Sequence, residues 1–322
     1  MNKKILIGAF AAILIFLAAG FLVLTGAPGQ GADLETFTVG LNAKMPTVIQ
    51  DLKSKGFIKS PWAFGLALGL SGVNKIESGG YKISKGLSAW QLAGVLKSPP
   101  GLKWVVVPEG LRKEEIAGLL AAALGWPNEV RDKWVSDYTA LDFDHVEGVY
   151  FPDTYLIPMA EQPLDVAKRL QNRFDEKFAP LAPEAVKQNI KWTTLLKVAS
   201  LIQREAAGPN DMPLIAGVIW NRLLIGMKLD IDATLQYARG HTDAGWWAPI
   251  TPADKQIDSP YNTYKYAGLP PHPICNPGLK AINAALAPQE TKCLYYLHDR
   301  AGGIHCAETY AEHLRNIETY LR

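Results

Sequence analysis

The chain has 322 residues, with 33 Lys and Arg against 31 Asp and Glu and a formal net charge of +2. So even a balance offers no basic footprint for nucleic acid, and the length leaves room for two domains of common size beyond any terminal anchor. The six His are scattered without an HExxH pattern and the three Cys lack zinc-ligand spacing, which argues against a metal centre or metal cofactor.

Residues 1–4 form a short tail carrying Lys3 and Lys4. Residues 5–24 are an unbroken run of 20 uncharged, mostly apolar residues, enough to cross a hydrocarbon core of roughly 30 Å. The two lysines hold the tail in the cytoplasm, so the rest of the chain is expected outside a single-pass span in the inner membrane. A cleaved signal peptide is the rival. Its apolar core usually runs to about 7–15 residues and ends at an A-x-A-like site. This run is longer and is followed by a poor site, GAPGQGA, which favours a retained anchor.

Residues 25–36 read as a Gly-rich linker, with Gly26–Asp33 at its centre. Residues 37–105 read as a small α+β module. Glu35–Leu41 alternates like a strand, Met45–Lys55 and Ser60–Leu70 read as helices, and Tyr81–Ile83 as a strand. Leu87–Lys97 reads as a further helix with Ser88 as its N-cap. A strand followed by a G-x-S/A pattern and a helix occurs twice, near Val39–Leu52 and Ile83–Leu96.

Residues 106–322 form the expected second domain. Leu102–Val107 reads as a strand leading into Pro108-Glu109-Gly110, and helices are expected at Lys113–Ala123, Asp165–Phe178, Trp192–Ala207 and Met212–Leu224. Leu229–His305 is rich in Gly, Pro and aromatics and is expected to hold short strands and a hairpin. A helix at Glu308–Leu321 follows. Helices and strands mix without a regular βαβ repeat, so the class is α+β.

Trp192–Ala207 is the most informative segment. With Thr193 or Thr194 as N-cap, Leu195, Val198, Ile202 and Glu205 fall on one helical stripe and Leu201 flanks it. Glu205 thus occupies an apolar position. A carboxyl against a hydrophobic wall keeps its proton to higher pH, which suits a general acid. The alternative is that the stripe ends at Ile202 and Glu205 sits in a solvated last turn.

Cys275, Cys293 and Cys306 would lie in an oxidising compartment. CLYYLHDRAGGIHC reads as two strands around an Arg300–Gly303 turn, which brings Cys293 near Cys306 and leaves Cys275 over. Three unpaired thiols are the alternative.

Several motifs in order resemble one family, the membrane-anchored endolytic murein transglycosylases of the YceG-like or MltG-like group. They are Val107–Leu111 (VPEGL), Glu147–Tyr155 (EGVYFPDTY), Ser200–Ala206 (SLIQREA), Asn221–Asp232 (NRLLIGMKLDID), Thr234–Tyr237, Ser259–Tyr264 (SPYNTY), Gly268–Pro271 and Asn276-Pro277-Gly278. The hairpin and the closing helix also match, so the likeness covers nearly the whole chain.

The resemblance implies cleavage of the β-1,4 bond between N-acetylmuramic acid and N-acetylglucosamine, with a 1,6-anhydro ring formed and no cofactor. It places the catalytic glutamate in Gln203-Arg204-Glu205. Family members commonly carry Glu at the first of these positions, so Glu205 is here the single carboxylate. It also implies a LysM-like wall-binding module at 37–105, glycan strands as substrate and a peptidoglycan synthase as partner. Glu147, Asp153, Arg222 and Asp232 are candidate substrate-binding residues. Tyr261, Asn262 and Tyr264 are candidates as well, the tyrosines by stacking on sugar rings and the amide by meeting an N-acetyl group. Glu147 and Asp153 equally suit loop caps or pairs with Arg222, Tyr261–Tyr264 suits a loop packed on the core, and Asp232 suits a turn. Two other functions fit: a non-catalytic wall-binding scaffold, and a muramidase using water, which needs a second carboxylate near Glu205.

Overall fold

The computed structural model describes residues 3–31 and 33–322. The first two residues of the expected tail, and Ala32 in the expected linker, lie outside the described residues. The chain divides into two compact units, Met1–Val105 with Tyr155–Glu161, and Val106–Thr154 with Gln162–Arg322. The second is therefore not the contiguous 106–322 expected, because the chain leaves it once to add a strand to the first.

The first unit begins with α1 (Lys3–Thr25). Its Ile7–Thr25 stretch is long and apolar enough to cross a membrane by length and composition, and none of its apolar window is buried by the rest of the chain. There follow β1 (Glu35–Val39), α2 (Met45–Ser54), α3 (Pro61–Leu70), β2 (Gly79–Ile83), α4 (Ala89–Lys97), β3 (Leu102–Val106) and, after a long excursion, β4 (Thr154–Pro158). The strands form one sheet in the order β1-β2-β3-β4. β1 and β2 are antiparallel, with Phe37 opposite Tyr81 and Val39 opposite Gly79. β3 comes so close to β2 that a Cβ on Gly79 would lie 2.4 Å from the Leu102 carbonyl oxygen, so only glycine fits there. Phe37, Leu52, Phe64, Ile83, Leu92 and Leu96 make the core of this unit. Ser88 caps α4 in a full capping box with Gln91, and Ser60 caps α3, accepting from the Ala63 amide. β4 was not expected; its five residues, TYLIP, are strand-favouring but too few for their alternation to stand out.

The second unit contains α5 (Lys113–Leu124), α6 (Asn128–Lys133), α7 (Pro163–Phe178), α8 (Ala182–Lys187), α9 (Trp192–Glu205), α10 (Met212–Leu224), α11 (Asp232–Arg239), α12 (Leu279–Leu286), the hairpin β5 (Tyr295–His298) and β6 (Ile304–Ala307), and α13 (Tyr310–Tyr320). At its centre α9 packs against α12, α10, α11 and α8. Leu195, Leu196, Val198, Ala199, Ser200, Leu201 and Ile202 are all buried, a wider face than the expected stripe. The expected threonine N-cap is corrected. Lys191, in extended conformation, holds the cap position without a side-chain bond, and Thr193 and Thr194 lie inside the first turn. Leu229–His305, expected to hold short strands and a hairpin, holds the hairpin and also contains α11 and α12. Each has eight residues, too few for the helical period to stand out.

Cys293 and Cys306 form a disulfide across the hairpin, Cα atoms 5.8 Å apart, and Cys275 is free and buried. The bond joins residues 13 apart in sequence, and closing so short a loop contributes about 3 kcal/mol through the unfolded state. Cys306→Ser should lower the urea midpoint accordingly, and reductant should bring the wild type down to the variant while leaving the variant unchanged. Equal midpoints for oxidised wild type and variant would mean that the link adds no stability.

Candidate active site

Glu205 is the last residue of α9. Ala206 turns extended at ψ 134°, and its amide still bonds the Ile202 carbonyl. The apolar body of the helix carries the carboxyl into the unit, and the helix end leaves it partly open. The Tyr296 hydroxyl donates to Glu205 Oε2 at 2.6 Å. Burial raises the Glu205 pKa, the Tyr296 bond pulls it down, the Asp232 charge raises it, and His298 and Arg222 lower it. The balance is upward. The partial negative charge at a helix C-terminus acts in the same direction, disfavouring a carboxylate there. Burial beside the same carboxyl drives the Tyr296 hydroxyl well up, so Tyr296 stays a donor.

Asp232 opens α11 and is exposed. Its Oδ1 accepts from the Tyr264 hydroxyl at 2.5 Å. Backbone and hydroxyl bonds hold these two together. The Ile231 amide donates to Thr263 Oγ1 at 3.0 Å, and the Thr234 and Thr263 hydroxyls meet at 2.9 Å. The Lys255 ammonium lies 4.4 Å from the Tyr264 ring centroid. Asp232, Ile250, Thr251, Pro252, Lys255 and Tyr264 line a groove of about 360 Å³. Asp232 thus belongs to the groove and acts electrostatically on Glu205. This joins three of the residues marked in the sequence, Glu205, Asp232 and Tyr264.

The other candidates hold the frame. Arg222, in the last turn of α10, donates from Nε to the Leu294 carbonyl at 2.5 Å and from Nη1 to the Leu229 carbonyl at 2.6 Å, and it lies over the Tyr295 ring. The neighbouring Asn221 amide donates to the carbonyls of Thr291 and Cys293. These two side chains dock the hairpin that carries Tyr296. Tyr261 packs on Tyr237 with ring centroids 4.7 Å apart, and Tyr237 covers the Arg112 guanidinium.

Three expectations change. Asn262 does not face a sugar. It is fully buried, its amide donates to the Lys255 and Ile257 carbonyls, and its oxygen accepts from the Tyr264 and Lys265 amides. Glu147 is also fully buried. It accepts from Asn276 Nδ2 at 2.6 Å and from the Lys113 amide that opens α5, and burial pushes its carboxyl up to about 8. Asp153 pairs with Arg173 at 2.7 Å rather than with Arg222.

Sequence reasoning missed Tyr296 and the purpose of Gln203. The Gln203 side-chain oxygen Oε1 accepts from the Gly278 amide at 3.0 Å, and the Glu109 carboxyl lies so near Gly278 that a Cβ there would be 2.0 Å from it. Ser200 accepts from the Ile274 amide, and Arg204 donates to the Gly110 carbonyl and lies over Trp247. The SLIQREA motif is therefore largely a set of tethers to loops.

A model of the YceG-like family matches residues 37–319. The chain belongs to the YceG-like family. An endolytic murein transglycosylase of Bacillus subtilis (strain 168) is 30% identical to it over 311 residues, covering 88% of this chain and 85% of the relative. One from Streptococcus pneumoniae serotype 2 is 25% identical over 362 residues, covering 99% of this chain and 66% of the relative. The crystal structure of a YceG-like protein from Listeria monocytogenes is similar in fold, with a TM-score of 0.61 at 24% identity, over 88% of this chain and 99% of that one. In this YceG-like chain the Gln203 side-chain oxygen ties the end of α9 to the Gly278 amide.

A raised carboxyl has a thermodynamic consequence. Unfolded, Glu205 ionises near its ordinary 4.5; folded, it keeps its proton to higher pH. Above the unfolded value the unfolded state loses its proton first, so stability falls with rising pH until the folded pKa is passed. Glu205→Gln removes that loss. The variant should match the wild type at about pH 4 and exceed it at about pH 8 in parallel urea melts. A variant less stable at the higher pH would mean the ionised carboxylate is stabilised by its surroundings.

Proposed function

We propose that this chain is an endolytic lytic transglycosylase of peptidoglycan. It is held by α1 in the cytoplasmic membrane, with the chain beyond α1 on the outer side. The observation that supports the reading is the Glu205 carboxyl, raised by burial, steadied by Tyr296 and felt by Asp232, which lines a groove, in a chain whose relatives bear that name.

Glu205 donates its proton to the bridging oxygen of the N-acetylmuramic acid–N-acetylglucosamine bond as that oxygen leaves C1. The C6 hydroxyl oxygen of the same muramic acid attacks C1 and closes the 1,6-anhydro ring, and its proton passes to Glu205. The carboxyl ends protonated, as it began, and no water is consumed. One carboxyl is enough because the nucleophile belongs to the substrate. The Asp232 charge suits the positive character that develops at C1, and the Tyr264 ring face and the Ile250–Pro252 wall suit a sugar. The module at 37–105 serves as a LysM-like wall-binding unit, and a peptidoglycan synthase is the partner that supplies nascent strands. These last two points rest on the motif resemblance.

One observation favours a second reading. Asp232 is a second carboxylate close enough to act on Glu205, as a hydrolase needs. Digestion of long uncrosslinked glycan in ¹⁸O-labelled water separates the two. We expect unlabelled 1,6-anhydro ends and a fast fall in mean strand length from internal cuts. Glu205→Gln should cut at least about 100-fold more slowly. Label in the new reducing ends would replace the reading with hydrolysis. No cleavage by the wild type would leave only a binding role.

A further inference from the structure

We propose that α3 is an interfacial membrane helix, whose exposed Trp62–Leu66–Leu70 face, with Trp90 beside it, lies in the headgroup region of the bilayer where α1 emerges. This rests on the reading of α1 as a retained span and goes beyond it, since an anchor alone requires nothing of α3.

The sequence of α3, PWAFGLALGL, carries no polar side chain. Ala63, Phe64, Ala67 and Leu68 face the core of the first unit. Among the described residues the opposite face is left largely open, with Trp62 66% exposed, Leu66 40% and Leu70 75%. These three recur every four residues and so make one stripe. A helix that is apolar all round belongs in a core or in lipid. Ten residues rise about 15 Å, half of what a span needs, so this helix can lie in a bilayer surface but cannot cross it.

The occupant follows from what adjoins the stripe. α1 packs against α3. Phe21, near the end of α1, meets Trp62 and Trp90 edge-on with ring centroids 6.5 and 6.2 Å away. The apolar stripe is therefore continuous with the end of the span, at the level where membrane proteins place their aromatic belts. Lysines sit at both ends of α3. Lys59 precedes it, its ammonium 3.6 Å from where a Gly26 Cβ would be, and Lys97 donates to the carbonyl of Ser71, the C-cap of α3, at 2.9 Å. Residues 33–105 carry nine lysines against four acidic residues, a charge that suits anionic headgroups. A tryptophan-bearing apolar stripe between lysines, next to a span, fits lipid better than a protein groove.

The test uses the full-length protein in vesicles of phosphatidylethanolamine and phosphatidylglycerol. With Cys275 buried and the other two cysteines paired, an added exposed cysteine takes a fluorophore selectively. Leu66→Cys reports on α3 and Phe16→Cys on the span. We expect the Leu66 label to be quenched at least threefold more by a nitroxide near the headgroup than by one deep in the acyl chain, and the Phe16 label to show the reverse. Adding Trp62→Lys and Leu70→Lys should abolish quenching at Leu66 and leave Phe16 unchanged. An unquenched Leu66 label beside a quenched Phe16 label would overturn the proposal while the anchor stands, and would leave the stripe to a protein partner. Deep quenching at both positions would overturn the interfacial placement. No quenching at either would overturn the anchor as well.

Discussion

The second unit is organised around one hydrogen bond, from the Tyr296 hydroxyl to the carboxyl of Glu205. The two residues lie 91 apart in sequence, and each is held by its own set of tethers. On one side, α9 is fixed by its buried body and by Ser200, Gln203 and Arg204, which reach to the Ile274 and Gly278 amides and the Gly110 carbonyl. On the other, Asn221 and Arg222 bind the start of the hairpin and a disulfide closes it. A bond of this kind retains its geometry only if neither partner drifts, and most of the motif residues serve that end.

Two opposed effects meet at Glu205. Burial and the Asp232 charge favour the protonated form, while Tyr296, His298 and Arg222 favour the charged one. In the proposed reaction Glu205 gives a proton and takes one back, a task that needs such a compromise. Burial alone would leave a carboxyl too reluctant to give its proton up, and full hydrogen bonding would leave it ionised. Asn276 supports this arrangement from further away. Its amide binds the Leu111 carbonyl and Glu147, and its oxygen accepts from the Tyr150 amide, joining VPEGL, EGVY and NPG at one buried point. That explains why Glu147, a charged residue in a motif, is wholly inside: it joins two motif loops and the first turn of α5, and touches none of the groove.

The parts legible in the sequence were those with a local signal. Helices α2, α4, α7 and α9 have enough turns and polar contrast to show their period, Ser88 and Ser60 are cap residues of the expected kind, and the hairpin is marked by Ala301-Gly302-Gly303. Glu205 stands out because it interrupts an apolar stripe. The rest depended on contacts across long sequence distances. Tyr295 and Tyr296 are adjacent and alike, yet alternate sides of a strand send one to Arg222 and the other to Glu205, and only the pairing of the hairpin decides which. Asn262 and Tyr264 stand two residues apart in one loop, and the fold turns the first inward and the second to the groove. β4 was hidden because it joins its sheet from 48 residues beyond the end of β3.

The most direct test is the titration of the Glu205 carboxyl itself, by the carbon-13 shift of its side-chain carboxyl carbon, assigned by comparison with Glu205→Gln. The account predicts a pKa above the ordinary glutamate value in the wild type. It should rise further in Tyr296→Phe, which loses the hydroxyl that lowers it, and fall in Asp232→Asn, which loses the charge that raises it. A carboxyl that titrates at or below the ordinary value, and is indifferent to both substitutions, would contradict the account.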